Sequence, residues 1–361
     1  MKIGAPKIIR EHHRVFYRVD VESIRGRTVL WYSLPEAFGG LVSKLCDAPL
    51  AALLIPAMAD SEDIHIDGMI SDRLVFNSHR LQKLLQHTIP SLRRIHLHPL
   101  AVDGRQIARA AGVATGFSGG IDSWCLLADH YYADVPARFK VTHLLFNNVG
   151  SHGIGGEQLF AKRFQRMSPV AERLGLPYVD INSNLDQFYG SGLNFLQTHT
   201  LRNASVALLL QGGIGCFLYA SAYSYPDLFV GPTDAMGYSD SMMMSLLSTS
   251  TLDAISVGSE YTRVEKTLRA AELPDSHNAL DVCVNAKYTG GHINCSTCWK
   301  CLRTLSTLDI AGLLERYSPS FDLQAYRSLK KEYWASIPAS DDPLMREIAQ
   351  FARQRGVPLT G

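Results

Sequence analysis

Two groups of residues carry chemistry in their types and spacing. The first is "SGGIDS", residues 118–123, where the apolar run "GVATGFS" stops in Ser118, Gly119 and Gly120. Asp122 and Ser123 follow, and a helix-like pattern, "DSWCLLADHYY", begins there. Consecutive glycines cost backbone entropy, so a chain keeps them where it turns tightly or where something approaches closely. The free amides of such a turn, opening a helix, make an anion site, and phosphate is the first candidate. The hydroxyls of Ser118 and Ser123 add donors. Asp122 would not bind phosphate directly, so its expected task is to hold Mg2+ or to cap the helix. Neither G-x-x-x-x-G-K-[ST] nor G-x-G-x-x-G occurs in the chain, so the fingerprints of Walker-type ATPases and dinucleotide enzymes are absent.

The second group is "DVCVNAKYTGGHINCSTCWKCLRT", with Cys295, Cys298 and Cys301 in C-x-x-C-x-x-C and Cys283 twelve residues upstream. Four thiolates so spaced can converge on a tetrahedral metal, with Zn2+ the first choice and an iron-sulfur cluster or a sulfur-transfer pair the alternatives. With four thiolate ligands and no open position, the zinc would be structural. Cys46, Cys125 and Cys216 have apolar neighbours and no partner spacing, which predicts small buried side chains.

The elements that must position these residues follow from the pattern around them. The chain has 361 residues, 46% hydrophobic and 19% charged, enough for a normal core and two domains. Its 35 basic and 34 acidic residues leave a formal charge of +1, which supplies no global field for nucleic acid. The N-terminus "MKIGAPKIIREHHRVFYRVD" is charged throughout and lacks the apolar core of a secretory signal; the expected location is the cytoplasm, where disulfides are rare. The uncharged stretch 203–226 approaches membrane-spanning length, but Gln211, Gly212, Gly213 and Gly215 divide it into a short helix and a short strand.

Residues 1–110 mix strand-like "RVFYRVDVE", "RTVLWYSL" and "RRIHLHPLAV" with helix-like "SHRLQKLLQHTI", predicting a small α+β module. In it His12 and His13 adjoin on an expected loop, and His96 and His98 lie two apart on an expected strand, both read as surface histidines. From residue 111 the strands "GVATGFS", "VTHLLFNNV", "LPYVDIN" and "CFLYASAY" alternate with helix-like stretches. This predicts an α/β fold, a mostly parallel sheet with helices on both faces, over 111–315. Ligands of such sheets sit at the carboxyl ends of strands, which is where 118–123 fall. Residues 316–361 read as a C-terminal helical tail.

SGGIDS resembles the loop of the PP-loop ATP pyrophosphatases, an adenine-nucleotide alpha-hydrolase-like fold. With the cysteine cluster some 160 residues later, the chain looks like the 7-cyano-7-deazaguanine synthases, the QueC family of queuosine-precursor biosynthesis. "THTLRNASVALLLQGG", with Arg202 and Asn203, "SEYTRVEKTLRAAEL", with Lys266, and Arg303 two places after the last cysteine fall in the family's order. The resemblance implies ATP and Mg2+, and a reaction in which a carboxylate such as that of 7-carboxy-7-deazaguanine is adenylated with release of pyrophosphate. Ammonia then displaces AMP to give an amide, and a second ATP leads to a nitrile. It implies Asp122 and Lys266 as catalytic residues, and Ser118, Gly119, Gly120, Asp122, Ser123, Arg202 and Asn203 as nucleotide contacts. A homodimer is also implied.

Departures from the family are plain. About 110 residues precede the loop. The segment "NNVGSHGIGGEQ" offers only His152 and Glu157 as ionisable groups, and the Met-rich "GYSDSMMMSLLS", read as an apolar helix face, has no counterpart. Three alternatives therefore stand beside the synthase reading. The acid could be joined to an amine of a protein partner bound through 1–110; the chain could be a zinc-stabilised nucleotide-binding protein without turnover; or it could thiolate tRNA, which the near-neutral charge disfavours.

Overall fold

The chain opens with four strands, and the alternation of buried and open side chains along the third fixes which of its faces packs inward. In the computed structural model, which describes every residue except 106, 154–155, 191, 286–289 and 360–361, these are β1 (Lys2–Ile3), β2 (Lys7–Glu11), β3 (Arg14–Ser23) and β4 (Gly26–Pro35). β3 buries Val15, Tyr17, Val19 and Val21. His12 and His13 form the turn between β2 and β3, both with positive φ (53° and 58°), the conformation that matches the twist of a two-residue hairpin.

Helix α1 (Asp47–Asp60) and strand β5 (Ile64–Ser71) come next, and the sequence pattern showed neither. α1 is buried from Asp47 to Met58 on all sides, so it has no polar stripe to betray its period. Helix α2 (Asp72–Thr88) and strand β6 (Leu97–Asp103) follow as expected.

Then come β7 (Gly112–Gly116), α3 (Ile121–Leu127), β8 (His143–Asn148), α4 (Glu157–Leu174), β9 (Tyr178–Ser183), α5 (His199–Leu209) and β10 (Ile214–Ala220). After α6 (Asp240–Met244) an unforeseen strand, β11 (Asp253–Val257), is added, and the chain ends in α7 (Arg263–Ala271), α8 (Pro274–His277), α9 (Trp299–Ile310), α10 (Leu323–Ser336) and α11 (Pro343–Gln354). The 203–226 stretch is thus largely the end of α5 and β10, and no helix among the described residues is long and apolar enough to cross a membrane.

The eleven strands among the described residues form one mixed, largely parallel sheet in the order β11-β10-β7-β8-β9-β4-β3-β1-β5-β6, with β2 beside β3. From β11 to β9 every pairing is parallel. The order runs outward from β7 to β9 and then restarts at β10 on the other side, so the α/β part is doubly wound with its switch between β7 and β10. The N-terminal strands join it through a short antiparallel contact, Tyr32↔Ser183 and Ser33↔Asn182. Around that seam Arg14 pairs with Asp180 at 2.8 Å, and Tyr32 Oη and Ser205 Oγ lie 2.8 Å apart.

Two compact units interleave along the chain, where the sequence suggested three consecutive segments. One comprises Met1–Gly116, Pro136–Ser221 and Leu228–Val257 and holds the whole sheet; the other comprises Phe117–Val135, Ala222–Asp227 and Gly258–Gly361. Residues 1–110 extend the α/β sheet instead of closing a sheet of their own, because β4 finds its second partner in β9. The second unit has its own apolar cluster, in which Val264 of α7 and Ile310 of α9 pack with Trp334, Met345 and Ile348 of α10 and α11.

Candidate functional site

The Ser-Gly-Gly turn begins two residues after β7 ends. Gly119 has φ +77°, a conformation open to glycine and strained for other residues. Its carbonyl accepts the Asp281 N–H at 2.8 Å, and Ser123 Oγ donates to the Gly120 carbonyl at 2.9 Å. Phe117 and Trp124 pack edge to face beneath it, ring centroids 5.2 Å apart. Gly120 is in extended conformation, and a Cβ there would meet only Ser118 Oγ at 3.4 Å and the Asp281 carbonyl at 3.6 Å. The turn itself therefore requires Gly119 but leaves room at 120.

Asp122 is not the N-cap of α3; Gly120 holds that position. Its carboxylate instead faces α7. Oδ1 lies 2.9 Å from Arg263 Nη1 and 3.4 Å from Lys266 Nζ. The Asp122 side chain is 31% exposed, but Oδ1 itself is buried, so the open part of the carboxylate points away from the two cations. Burial by itself would raise the Asp122 carboxyl; Arg263 and Lys266 together outweigh it and hold the group below the usual carboxylate range.

Arg263 and Lys266 are one turn apart on α7, and Lys300 and Arg303 repeat that spacing on α9. Lys266 is 1% exposed and Arg303 7%. Burial pulls Lys266 below the ordinary lysine range, with Asp122 opposing and Arg263 adding to the fall. Burial, Arg263 and Arg303 do the same to Lys300, and burial and Arg263 to Arg303. Asp342 Oδ2, 3.7 Å from Arg303 Nη1, supplies a second carboxylate. Arg263 Nη2 donates to the Ala222 carbonyl at 3.1 Å, and the buried Nε has no acceptor among the described residues. Four mutually repelling cations thus converge, with the Asp122, Asp342 and Glu347 carboxylates among them.

Arg202 and Asn203 belong to the unit that carries the sheet. Arg202 is 1% exposed and donates from Nε to Thr198 Oγ1 at 2.9 Å, and from Nη1 to the Val149 carbonyl at 3.0 Å and Asp186 Oδ1 at 2.8 Å. Its guanidinium also lies over the Tyr189 ring at 3.6 Å. Through these bonds Arg202 ties α5 to the loops around it. Asn203 Oδ1 accepts Asn147 Nδ2 at 3.0 Å, and its own amide donates to the His199 carbonyl at 2.8 Å.

The four cysteines converge. One sulfur from each of Cys283, Cys295, Cys298 and Cys301 lies within 4.8 Å of all the others. Cys295 and Cys301 Sγ are 3.9 Å apart and Cys298 and Cys301 Sγ 3.4 Å, against the roughly 3.8 Å edge of a tetrahedron with metal–sulfur bonds of about 2.3 Å. The donor set therefore fits a metal such as zinc. The Cys298 amide donates to Cys295 Sγ at 3.3 Å, across a turn in which Ser296 has φ +63°. Hydrogen bonding between the Cys298 and Cys301 sulfurs pulls Cys298 below the ordinary thiol range and pushes Cys301 above it. Asn294, fully buried, accepts the Val282 and Cys283 amides and donates to the Leu280 and Ser320 carbonyls, tying the two cysteine-bearing segments together.

Cys46, Cys125 and Cys216 are buried, and burial pushes their thiols up to about 12, 12 and 11, as expected of inert core cysteines. His152 is likewise pushed down to about 4 by burial, with Arg163 adding to the shift. In the Met-rich segment Met243 and Met244 of α6 are buried and Met242 is half-exposed. Arg263, Lys300 and Asn294 went unread; R-x-x-K at 263–266 and K-x-x-R at 300–303, each an (i, i+3) cationic pair on a helix face, were the signal for the first two. In comparisons with protein-family models, curated proteins and solved structures, the chain matches none.

Proposed function

We propose that the protein is an ATP-dependent adenylating enzyme of the PP-loop kind, similar to the 7-cyano-7-deazaguanine synthases, acting on a carboxylate such as 7-carboxy-7-deazaguanine. The observation that carries this reading is the convergence, within one compact unit, of Arg263, Lys266, Lys300 and Arg303 around Asp122, whose residue follows the Ser-Gly-Gly turn. Four converging cations, with the several N–H donors that each carries, suit pyrophosphate better than a singly charged ion. Arg263 brings a donor, Nε, that has no acceptor among the described residues.

In the reaction a substrate carboxylate oxygen attacks the α-phosphorus of ATP, the bond from that phosphorus to the bridging oxygen breaks, and pyrophosphate departs with the electron pair. The four cations stabilise the charge that grows on the leaving group. Magnesium bound with ATP would neutralise phosphate oxygens, and the open side of Asp122 is the carboxylate at hand to hold it. Ammonia then attacks the acyl carbon and AMP leaves, giving the amide. The cysteine cluster, sharing α9 with Lys300 and Arg303, would fix that helix through its zinc.

The test is chromatography of purified protein with Mg2+ and ATP, with and without 7-carboxy-7-deazaguanine and ammonium. AMP and pyrophosphate should form only with the acid, an amide or nitrile should appear by mass, and Asp122→Asn should abolish both while remaining folded. AMP formation without an ammonium product would move the acceptor to an amine on another molecule. No AMP with this acid or any other carboxylate would refute the enzyme.

A further inference from the structure

The first turn of α7 has an acceptor problem. The leading amides of a helix lack partners within it, and here Thr262 and Glu265 form a capping box that satisfies the Glu265 amide and the cap itself. A capping box does not reach the amide of the first helical residue, which in α7 is Arg263. That N–H donates to Glu347 Oε2 at 2.6 Å, from a residue 84 positions further along the chain on α11. Ser224 Oγ lies 3.4 Å from the other carboxylate oxygen, Oε1. The same two helices share the apolar cluster of Val264, Met345, Ile348 and Phe351. α11 is in turn capped at its start by Asp342, which accepts the Leu344 amide at 2.9 Å and faces Arg303.

Packing alone lets a short helix rotate about its axis; a charged bond to its first amide fixes that rotation. The rotation of α7 decides where Arg263 and Lys266 point, and displacement of such groups by about 1 Å is costly in an electrostatic site. We propose that Glu347 is a positioning residue for the anion site, holding the Arg263 amide so that α11 aims Arg263 and Lys266. This rests on the reading of residues 118–123 and the four cations as a pyrophosphate site. It makes the C-terminal helix a working part of that site.

Calorimetric titration of the full chain with inorganic pyrophosphate, alongside thermal melts, tests it. Glu347→Ala should weaken pyrophosphate binding about tenfold, the worth of a lost charge-assisted hydrogen bond. Glu347→Gln, whose amide oxygen can still accept the N–H, should bind within about threefold of wild type. The control is Asp322→Ala, which removes an N-cap of the same unit, two accepted amides at 3.0 Å each, without touching the cations. It should lower the melting temperature comparably and leave the dissociation constant unchanged. If the alanine variant does not fold, Glu347→Asp, which keeps the charge but withdraws the carboxylate by one methylene, carries the same expectation of weaker binding.

Wild-type affinity in a folded Glu347→Ala or Glu347→Asp, equal losses in Ala and Gln, or an equal loss in Asp322→Ala overturns this inference alone. Failure of the wild-type protein to bind pyrophosphate overturns the anion-site reading, and this inference with it.

Discussion

Replacing Asp122 by asparagine isolates the charge at the centre of the cation cluster without changing its shape. Oδ1 faces Arg263 Nη1 at 2.9 Å and Lys266 Nζ at 3.4 Å, and Lys266 is 1% exposed. Removing one member of a buried ion pair costs about 3–5 kcal/mol. Water reaches part of this carboxylate and screens it, which brings the expected loss to about 2–3 kcal/mol, or roughly 3–4 °C in melting temperature. The measurement is a pair of thermal melts, wild type against Asp122→Asn, across pH and with added pyrophosphate.

The pH dependence has a definite sign. Because the folded-state pKa of Asp122 lies below the unfolded value, its contribution is complete above the unfolded carboxylate pKa of about 3.9 and is lost as pH falls through the folded value. The gap between the two proteins should therefore be constant from pH 5 to pH 7, within about 0.5 kcal/mol, and close only in stronger acid. Pyrophosphate should narrow the gap at neutral pH, since it returns negative charge to the same cations. A variant as stable as wild type at pH 7, or one that pyrophosphate stabilises less than it does wild type, would refute the claim that Asp122 is a principal counter-charge of these cations.

Other substitutions separate fold from function. Gly119→Ala, at φ +77°, should cost about 1–2 kcal/mol in stability, whereas Gly120→Ala should melt within about 0.5 kcal/mol of wild type yet lose pyrophosphate binding, because its Cβ fits the protein but occupies the space above the turn; normal binding by that variant would mean the turn is not the contact surface. Lys266→Met should abolish AMP formation. Since burial lowers the Lys266 pKa, the unfolded chain holds more protons in the alkaline window below about 10.4, and wild-type stability rises with pH there; the methionine variant should lack that slope. Cys298→Ser should lower bound zinc, read by elemental analysis, together with the melting temperature, by roughly 10 °C; full zinc occupancy or an unchanged melt would count against a structural metal.

Much of the site's frame could be read from the sequence because it is local. Strand, glycine turn and helix follow one another within 112–127, and three of the four cysteines lie within seven residues. What could not be read is assembled from distant pieces. Arg263 and Lys300 are ordinary helix cations in the sequence and become site residues only when α7 and α9 face the Asp122 carboxylate. Arg202, a basic residue opening a helix, is surrounded by Tyr189, Thr198 and Asp186, neighbours that no local pattern announces. α1 was missed because a helix buried on every side has no amphipathic period. The extension of the sheet across β4 and β9 rests on a two-residue register that no local pattern announces.

That seam also sets a timetable for synthesis. Tyr32 and Ser33 leave the ribosome about 150 residues before Asn182 and Ser183, their partners in the ladder. At roughly 5–20 residues per second, the outer edge of β4 waits about 10–30 s for its neighbour, with α1 exposed until α5 arrives to cover it. An unpaired edge beside an all-apolar helix is a template for joining other nascent chains, so crowded polysomes and fast overexpression should yield insoluble protein where slow translation yields folded protein.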